Sequence, residues 1–149
     1  MPKKLVCTGP KTLEWVPYQD GKVPPGHIRI KSLFSAAKHG TEMASYKGYG
    51  NCRGPYNPEF NVFMEGKSAN AYPAMVGNMV VGQVVELGQG VTDFEKGDRA
   101  LAYGCFSETH TVNATDYCWK VPKQVAGHDA VCLDPAFFAF ALPRNASMN

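Results

Sequence analysis

The sequence contains no apolar run approaching the roughly 18 residues that a helix needs to span a bilayer. Its first ten residues, MPKKLVCTGP, lack the apolar core of a secretory leader. A cytoplasmic protein that neither enters nor crosses a membrane is therefore expected. The five cysteines, Cys7, Cys52, Cys105, Cys118 and Cys132, include no C-x-x-C pair. An odd set without that spacing supports neither a disulfide framework nor a zinc ribbon, and buried free thiols are expected instead. Charge is sparse, at 19% Asp, Glu, Lys and Arg with a formal net charge of +2, and no run of Lys and Arg forms a stripe. This argues against a nucleic-acid binder. The sequence also has no G-x-G-x-x-G between a strand pattern and a helix pattern, the turn that holds a dinucleotide pyrophosphate.

What remains is a chain of 149 residues, 44% of them hydrophobic, enough for one domain with a real core. Its organising stretch runs from Tyr72 to Arg99. Val80, Val81, Val84, Val85 and Leu87 put β-branched and aliphatic groups on both faces, as in one long strand covered on two sides. Gly82 within that run predicts a bulge or a close backbone approach, and Gly88-Gln89-Gly90 predicts a turn with positive φ.

Before this stretch, residues 3–8 and 12–16 read as two strands joined through Gly9-Pro10. His27 to Leu33 alternates, with Ile28 and Ile30 opposite Arg29 and Lys31, as a half-buried strand does. Residues 40–47 are predicted to form a short helix, capped by Thr41 and ended by Gly48. The segment from Tyr49 to Ala71 is too rich in turn residues for a regular element, and Tyr56, Phe60 and Phe63 predict that it packs on something. LAYG, FSETHTV and YCWKVP read as three short strands with a turn at Gly104. Residues 125–142 read as helical, with an interruption at Pro135 and a stop at Pro143. Trp15 and Trp119 are expected to be packing groups rather than a substrate platform, and His110 and His128 to be surface or hydrogen-bonded core residues.

The order of residues in YPAMVGNMVVGQVVELGQGVTDFEKGDR, with Gly77, Gly82, Gly88, Gly90 and the Gly97-Asp98-Arg99 triplet, resembles the signature of the medium-chain dehydrogenase/reductase superfamily. A second match is the tetrad His39-Gly40-Thr41-Glu42 followed by Gly48, which is similar to the Cys-Gly-Thr-Asp motif of the zinc-dependent members. The resemblance implies a mainly β fold, a GroES-like, partly open barrel with a few short helices. Residues 1–125 would form the substrate-side domain, and 126–149 a helical segment leading to a nucleotide-binding domain absent from this chain. The chain is thus expected to be part of a longer enzyme and nearly inactive alone.

The resemblance also implies chemistry. Of three expected zinc ligands, the first position holds His39, the second Asn78 with Met79 beside it, and the third falls near Asp134. An amide is a poor zinc ligand, so a zinc-independent NAD- or NADP-dependent oxidoreductase is expected. In such an enzyme, polar side chains replace the metal. Thr41 would donate to the substrate oxygen or relay a proton, His39 would act as acid or base, and Asn78 would donate through its amide. Glu42 would brace the motif. His39, Gly40 and Thr41 would also face the cofactor. Each candidate has a plain alternative: a helix cap for Thr41, a solvent-edge side chain for His39, a turn residue for Asn78. Asp98 and Arg99 are expected to fix a loop.

The substrate would be a small alcohol, ketone or activated alkene. SAAKHGTE also looks like the S-x-x-S-x-G-T-E variant of a branch related to threonine, sorbitol and bacteriochlorophyllide dehydrogenases, which favours alcohol oxidation. The full-length protein could be a homo-oligomer. The alternative function is a free-standing GroES-like oligomerisation or co-chaperone-like module.

Overall fold

The computed structural model describes residues 1–48, 54, 56–64 and 72–146, with side chains described as far as 141. Strands β1 (Lys3–Gly9) and β2 (Thr12–Pro17) form a hairpin. They are followed by β3 (His27–Ala36), α1 (His39–Lys47), β4 (Tyr56–Asn57), β5 (Val62–Phe63), β6 (Ala74–Met75) and β7 (Met79–Leu87). The chain continues through β8 (Arg99–Tyr103), β9 (Thr109–Asn113), β10 (Cys118–Lys120), α2 (Gly127–Ala130) and α3 (Leu133–Ala146).

Two antiparallel sheets carry the fold, one ordered β10-β8-β7-β3-β9 and the other β2-β1-β6. The segment 104–108 stitches them together. Leu5 N–H donates to Phe106 O (2.8 Å), Phe106 N–H to Val76 O (2.7 Å), Glu108 N–H to Lys3 O (3.0 Å) and Ser32 N–H to Glu108 O (2.9 Å). The result is a curled half-barrel, as the sequence led one to expect. β9 joins it by pairing with β3, on the far side of the sheet from β8 and β10.

β7 sits at the centre, and its alternation divides the core. Val80 and Val84 face a cluster with Ile28, Ile30, Phe94, Ala100, Ala102 and Ala114. Met79 and Val81 face the opposite way, onto Leu101, Val121 and Val131. The second cluster exists because α2 and the residues after it cover that face of the sheet. Each buried aliphatic side chain contributes about 1.5–3 kcal/mol. Gly82 is required by the close approach of β3: a Cβ there would lie 2.6 Å from Lys31 O.

Several expectations change. The expected long strand through Val80–Leu87 is β7, and a short strand, β6, precedes it in the same run. At Gly77, φ is 119°, and the chain turns there from β6, which pairs with β1, into β7. Coverage on both faces holds only at the start of β7, because Gln83, Val85 and Glu86 are exposed. The helix α1 begins at His39 with Lys38 at its N-cap, so Thr41 lies inside the first turn and is not the cap. Gly48 does end it, in the left-handed region at φ 71°.

Within the segment expected to be irregular, β4 and β5 pair as a small hairpin. Tyr56 faces Phe63 across it, with ring centroids 5.2 Å apart. Both rings and Phe60 stay exposed. Pro135 does not interrupt the helix, since it falls in the first turn of α3, where a missing N–H costs no intrahelical bond. The break comes earlier, between α2 and α3, and α3 continues through Pro143 to Ala146. Trp15 stands 58% exposed on the edge strand β2, and Cys132 is exposed while Cys7 is buried. Cys52 lies outside the described residues.

Candidate functional site

Asp134 organises the site. It lies in the first turn of α3, its side chain only 5% exposed, and three donors from three other parts of the chain converge on it. Lys38 Nζ lies 2.9 Å from Oδ2. Asn78 Nδ2 donates to Oδ2 at 3.1 Å, and the Tyr103 hydroxyl donates to Oδ1 at 2.9 Å. A buried carboxylate survives only when its lone pairs are so occupied. The Lys38 ammonium is the main influence that holds the Asp134 pKa below the ordinary carboxylate value, with help from Tyr103 and Asn78 and against burial. The same carboxylate pushes the Tyr103 phenol up, so Tyr103 keeps its proton and remains a donor.

Each donor is fixed by the fold. Asn78 is pinned between two strand ends: its N–H donates to Ala36 O (2.8 Å) and its carbonyl accepts from Gly104 N–H (3.0 Å). Gly77 is needed just before it, because a Cβ there would lie 2.6 Å from the Cys105 backbone. Tyr103 is the last residue of β8. Lys38 is held through Glu42, whose Oε1 accepts from Lys38 N–H at 3.1 Å while Glu42 N–H donates to Lys38 O at 3.1 Å.

These residues wall a cleft of about 540 Å³ whose other side is aromatic. Tyr103, Tyr117 and Trp119 pack edge to face, with centroid separations of 5.8, 6.4 and 6.3 Å. The Phe138 ring lies under Lys38 Nζ, 4.5 Å from its centroid. Tyr117 and Trp119 are 65% and 42% exposed, so they are open walls of the cleft, and Trp119, expected to be a packing group, packs against Tyr103 and Tyr117 yet stays half open.

Of the residues named from sequence, Asn78 lines the cleft, and Asp134, at the third expected ligand position, is its centre. Glu42 reaches it only through the Lys38 main chain. His39, Gly40 and Thr41 are exposed on the first turn of α1, outside the cleft-lining set. Four contributors were not singled out: Lys38, Tyr103, Tyr117 and Phe138. The signal for Lys38 was its place beside His39-Gly40-Thr41-Glu42, and for Tyr103, Tyr117 and Trp119 the aromatic residues within LAYG and YCWKVP, which become the paired strands β8 and β10.

His110 is half-buried and hydrogen-bonded to the Ser107 main chain, within the expected range, while its Nε2 has no hydrogen-bond partner among the described residues. Burial depresses its pKa. The ring fits because Gly104 leaves room, since a Cβ there would lie 2.8 Å from His110 Cε1. Asp98 and Arg99 fix a loop, as expected: Asp98 Oδ2 accepts from Glu95 N–H (2.8 Å) and Lys120 Nζ (2.7 Å), and Arg99 donates to Pro122 O (2.7 Å).

The zinc ion of the zinc-type enzymes does not fit these residues. No group of three or more His, Cys, Asp or Glu side chains gathers among the described residues. The one buried carboxylate among the described residues already carries an ammonium where a cation would bind. For a nicotinamide dinucleotide, the described residues offer the exposed turn at His39-Gly40-Thr41, with open space beside Gly40. The glycine-rich strand-to-helix turn is not in the sequence. No helix among the described residues is long and apolar enough to cross a membrane.

The profile of the alcohol dehydrogenase GroES-like domain matches residues 57–139. A D-guloside 3-dehydrogenase from Escherichia coli K12 is 35% identical over 98% of this chain, and its counterpart from Shigella flexneri is 34% identical. The chain spans 44% of the length of these curated relatives. Among solved structures, the 2R,3R-butanediol dehydrogenase from Bacillus subtilis shares the fold with a TM-score of 0.67 at 20% identity. The match covers 91% of this chain and 45% of that one. An alcohol dehydrogenase from E. coli CFT073, solved with NADH, gives 0.64 at 21% identity, over 90% of this chain and 42% of that one. The chain belongs to the alcohol dehydrogenase GroES-like domain family, the amino-terminal domain of the medium-chain dehydrogenases/reductases.

Proposed function

We propose that this chain is the substrate-side domain of an NAD- or NADP-dependent dehydrogenase that oxidises a secondary hydroxyl on a hydroxylated ring without zinc. The observation that carries this reading is the cleft itself: a buried carboxylate dressed by Lys38, Asn78 and Tyr103 on one side, and an open aromatic wall on the other. Aromatic faces suit the apolar C–H face of a sugar ring, while the polar wall suits its hydroxyls. The similarity to D-guloside 3-dehydrogenases supports a glycoside as the substrate class.

When bound, the nicotinamide supplies the hydride acceptor. The chain's own residues bind and orient the alcohol. Asn78 gives one amide N–H to Asp134 and keeps the other as a fixed donor, which is the preorganisation that charge development rewards, while Tyr103 spends its only O–H on Asp134 and offers its phenol oxygen as an acceptor for a substrate hydroxyl. Thr41 and His39, exposed on α1, serve as relay and acid/base at the cofactor side, with Gly40 allowing close approach and Glu42 bracing the turn. Residues 126–149 lead toward the nucleotide-binding half in this reading. No nucleic acid or membrane takes part, and the enzyme works in the cytoplasm.

Saturation-transfer NMR of the chain with a methyl hexopyranoside tests the cleft. Ring protons are expected to draw saturation from the aromatic wall, and Trp119→Ala is expected to abolish most of the effect. Equal transfer in wild type and Trp119→Ala would place the sugar elsewhere and refute the reading.

A further inference from the structure

The cleft holds a fixed cation, and it is a lysine. Lys38 Nζ is held from one side by Asp134 Oδ2 at 2.9 Å and from another by the Phe138 ring at 4.5 Å. Its main chain is clamped by Glu42. An ammonium has three N–H donors and no acceptor. Asp134 takes one of them here, and Lys38 is still 39% exposed and lines the cleft. Its remaining donors are therefore available to an oxygen in that space.

Two of the three positions at which the zinc-type motif would supply ligands, Asn78 and Asp134, are hydrogen-bonded directly to each other. The third partner in this cluster is the Lys38 ammonium, not a side chain that could bind a metal. The disagreement between motif and donor set thus has a chemical content: a positive charge is present in the cleft, supplied by the chain.

We propose that Lys38 is the group that binds the reacting oxygen of the substrate, donating an N–H to the ring hydroxyl and to the negative charge that develops on it, in the role a zinc ion fills in metal-dependent relatives. This rests on the cleft being the substrate site. Asp134 is then a positioning residue. It holds Lys38, Asn78 and Tyr103 in register, and its own oxygens are too occupied to meet the substrate. An ammonium is a weaker polariser than a divalent metal but a directional donor, which suits a substrate bound mainly by its ring and neighbouring hydroxyls.

The test follows the ¹⁵N-labelled chain by NMR during titration with a methyl hexopyranoside, reading the Lys38 ammonium and Trp119 indole signals. Both are expected to move on one isotherm. Lys38→Met is expected to weaken binding about tenfold, the loss of one charge-assisted hydrogen bond, and Lys38→Arg to retain part of it. Because Lys38→Met strands a buried carboxylate, the double variant Lys38→Met/Asp134→Asn is measured alongside and is expected to show the same weakening. If the Trp119 signal moves normally and both methionine variants bind within about twofold of wild type, the role of Lys38 is refuted while the cleft reading stands. If the sugar leaves Trp119 unmoved in the wild type, the cleft reading fails and the role of Lys38 fails with it.

Discussion

The ammonium of Lys38 lies 2.9 Å from Asp134 Oδ2, an ion pair that joins the N-cap of α1 to the first turn of α3. It closes the cleft beside Asn78, just before β7, and Tyr103, the last residue of β8. Because Asp134 also satisfies Asn78 and Tyr103, its removal leaves three donors without their acceptor. Asp134→Ala is expected to destabilise the fold by about 3 kcal/mol, read as a lowered urea midpoint. Tyr103→Phe removes a single donor and is expected to cost about 1 kcal/mol. Equal effects from the two would show that Asp134 is not the centre of the network.

Acid should weaken the fold in two stages. His110 has its pKa lowered by burial and Asp134 its pKa lowered chiefly by Lys38. For both, the unfolded chain binds protons more readily than the folded one, so stability is present above the unfolded pKa and lost as pH falls. The His110 contribution is expected to decline as pH drops below the ordinary 6.5, and those of Asp134 and Asp98 below the ordinary 3.8. Denaturation midpoints across that range check this, and Asp134→Asn should flatten only the more acidic stage.

The thiols should separate by burial. Cys132 is exposed, whereas burial pushes the Cys118 thiol up to about 11 from an ordinary 9.0. Because the thiolate is the reactive form, iodoacetamide at pH 8 is expected to modify Cys132 well before Cys118, as peptide mass spectrometry would record. Cys118 also contributes stability that is intact below its unfolded pKa and lost as pH rises toward 11.

Glycine substitutions should split by geometry. Gly82→Ala places a methyl group 2.6 Å from Lys31 O, and Gly77→Ala puts one equally close to the Cys105 backbone at a positive φ. Each is expected to cost about 3 kcal/mol or more. Gly40 is helical with open space beside it, so Gly40→Ala is expected to stabilise by about 0.5–1 kcal/mol. Thermal unfolding of the three variants gives the comparison, and a destabilising Gly40→Ala would contradict the placement of α1.

The glycines were also what made the fold legible. Gly82, Gly48 and the Gly97-Asp98-Arg99 triplet each marked a local constraint that adjacent residues enforce, and the structure places each where its neighbours implied. The strand alternation at Ile28 and Ile30 read correctly for the same reason. Pro135 misled because a proline's effect depends on its position in the helix, and that position is fixed by packing beyond the local sequence. The site was half legible. Asn78 and Asp134 stood out by their order in the chain, but Lys38 meets Asp134 only because α1 and α3 converge over the end of the sheet. That is a long-range fact with no local pattern. Trp119 reads as a packing group because bulk alone does not tell a covered ring from an open one.

Metal content is a separate check. The purified chain is expected to hold well under one equivalent of zinc, since the donor set does not fit it. One tightly held equivalent by plasma emission would require Asp134 to give up Lys38 and take a metal with His39.

The most direct measurement is a crystal structure of the chain soaked with a methyl hexopyranoside. The expected result is a sugar ring against Trp119 and Tyr117 with one ring oxygen substituent within hydrogen-bond reach of Lys38 Nζ. A sugar bound instead in the groove of about 620 Å³ beside Trp15 and Thr109, with the Asp134 cleft unchanged, would contradict it.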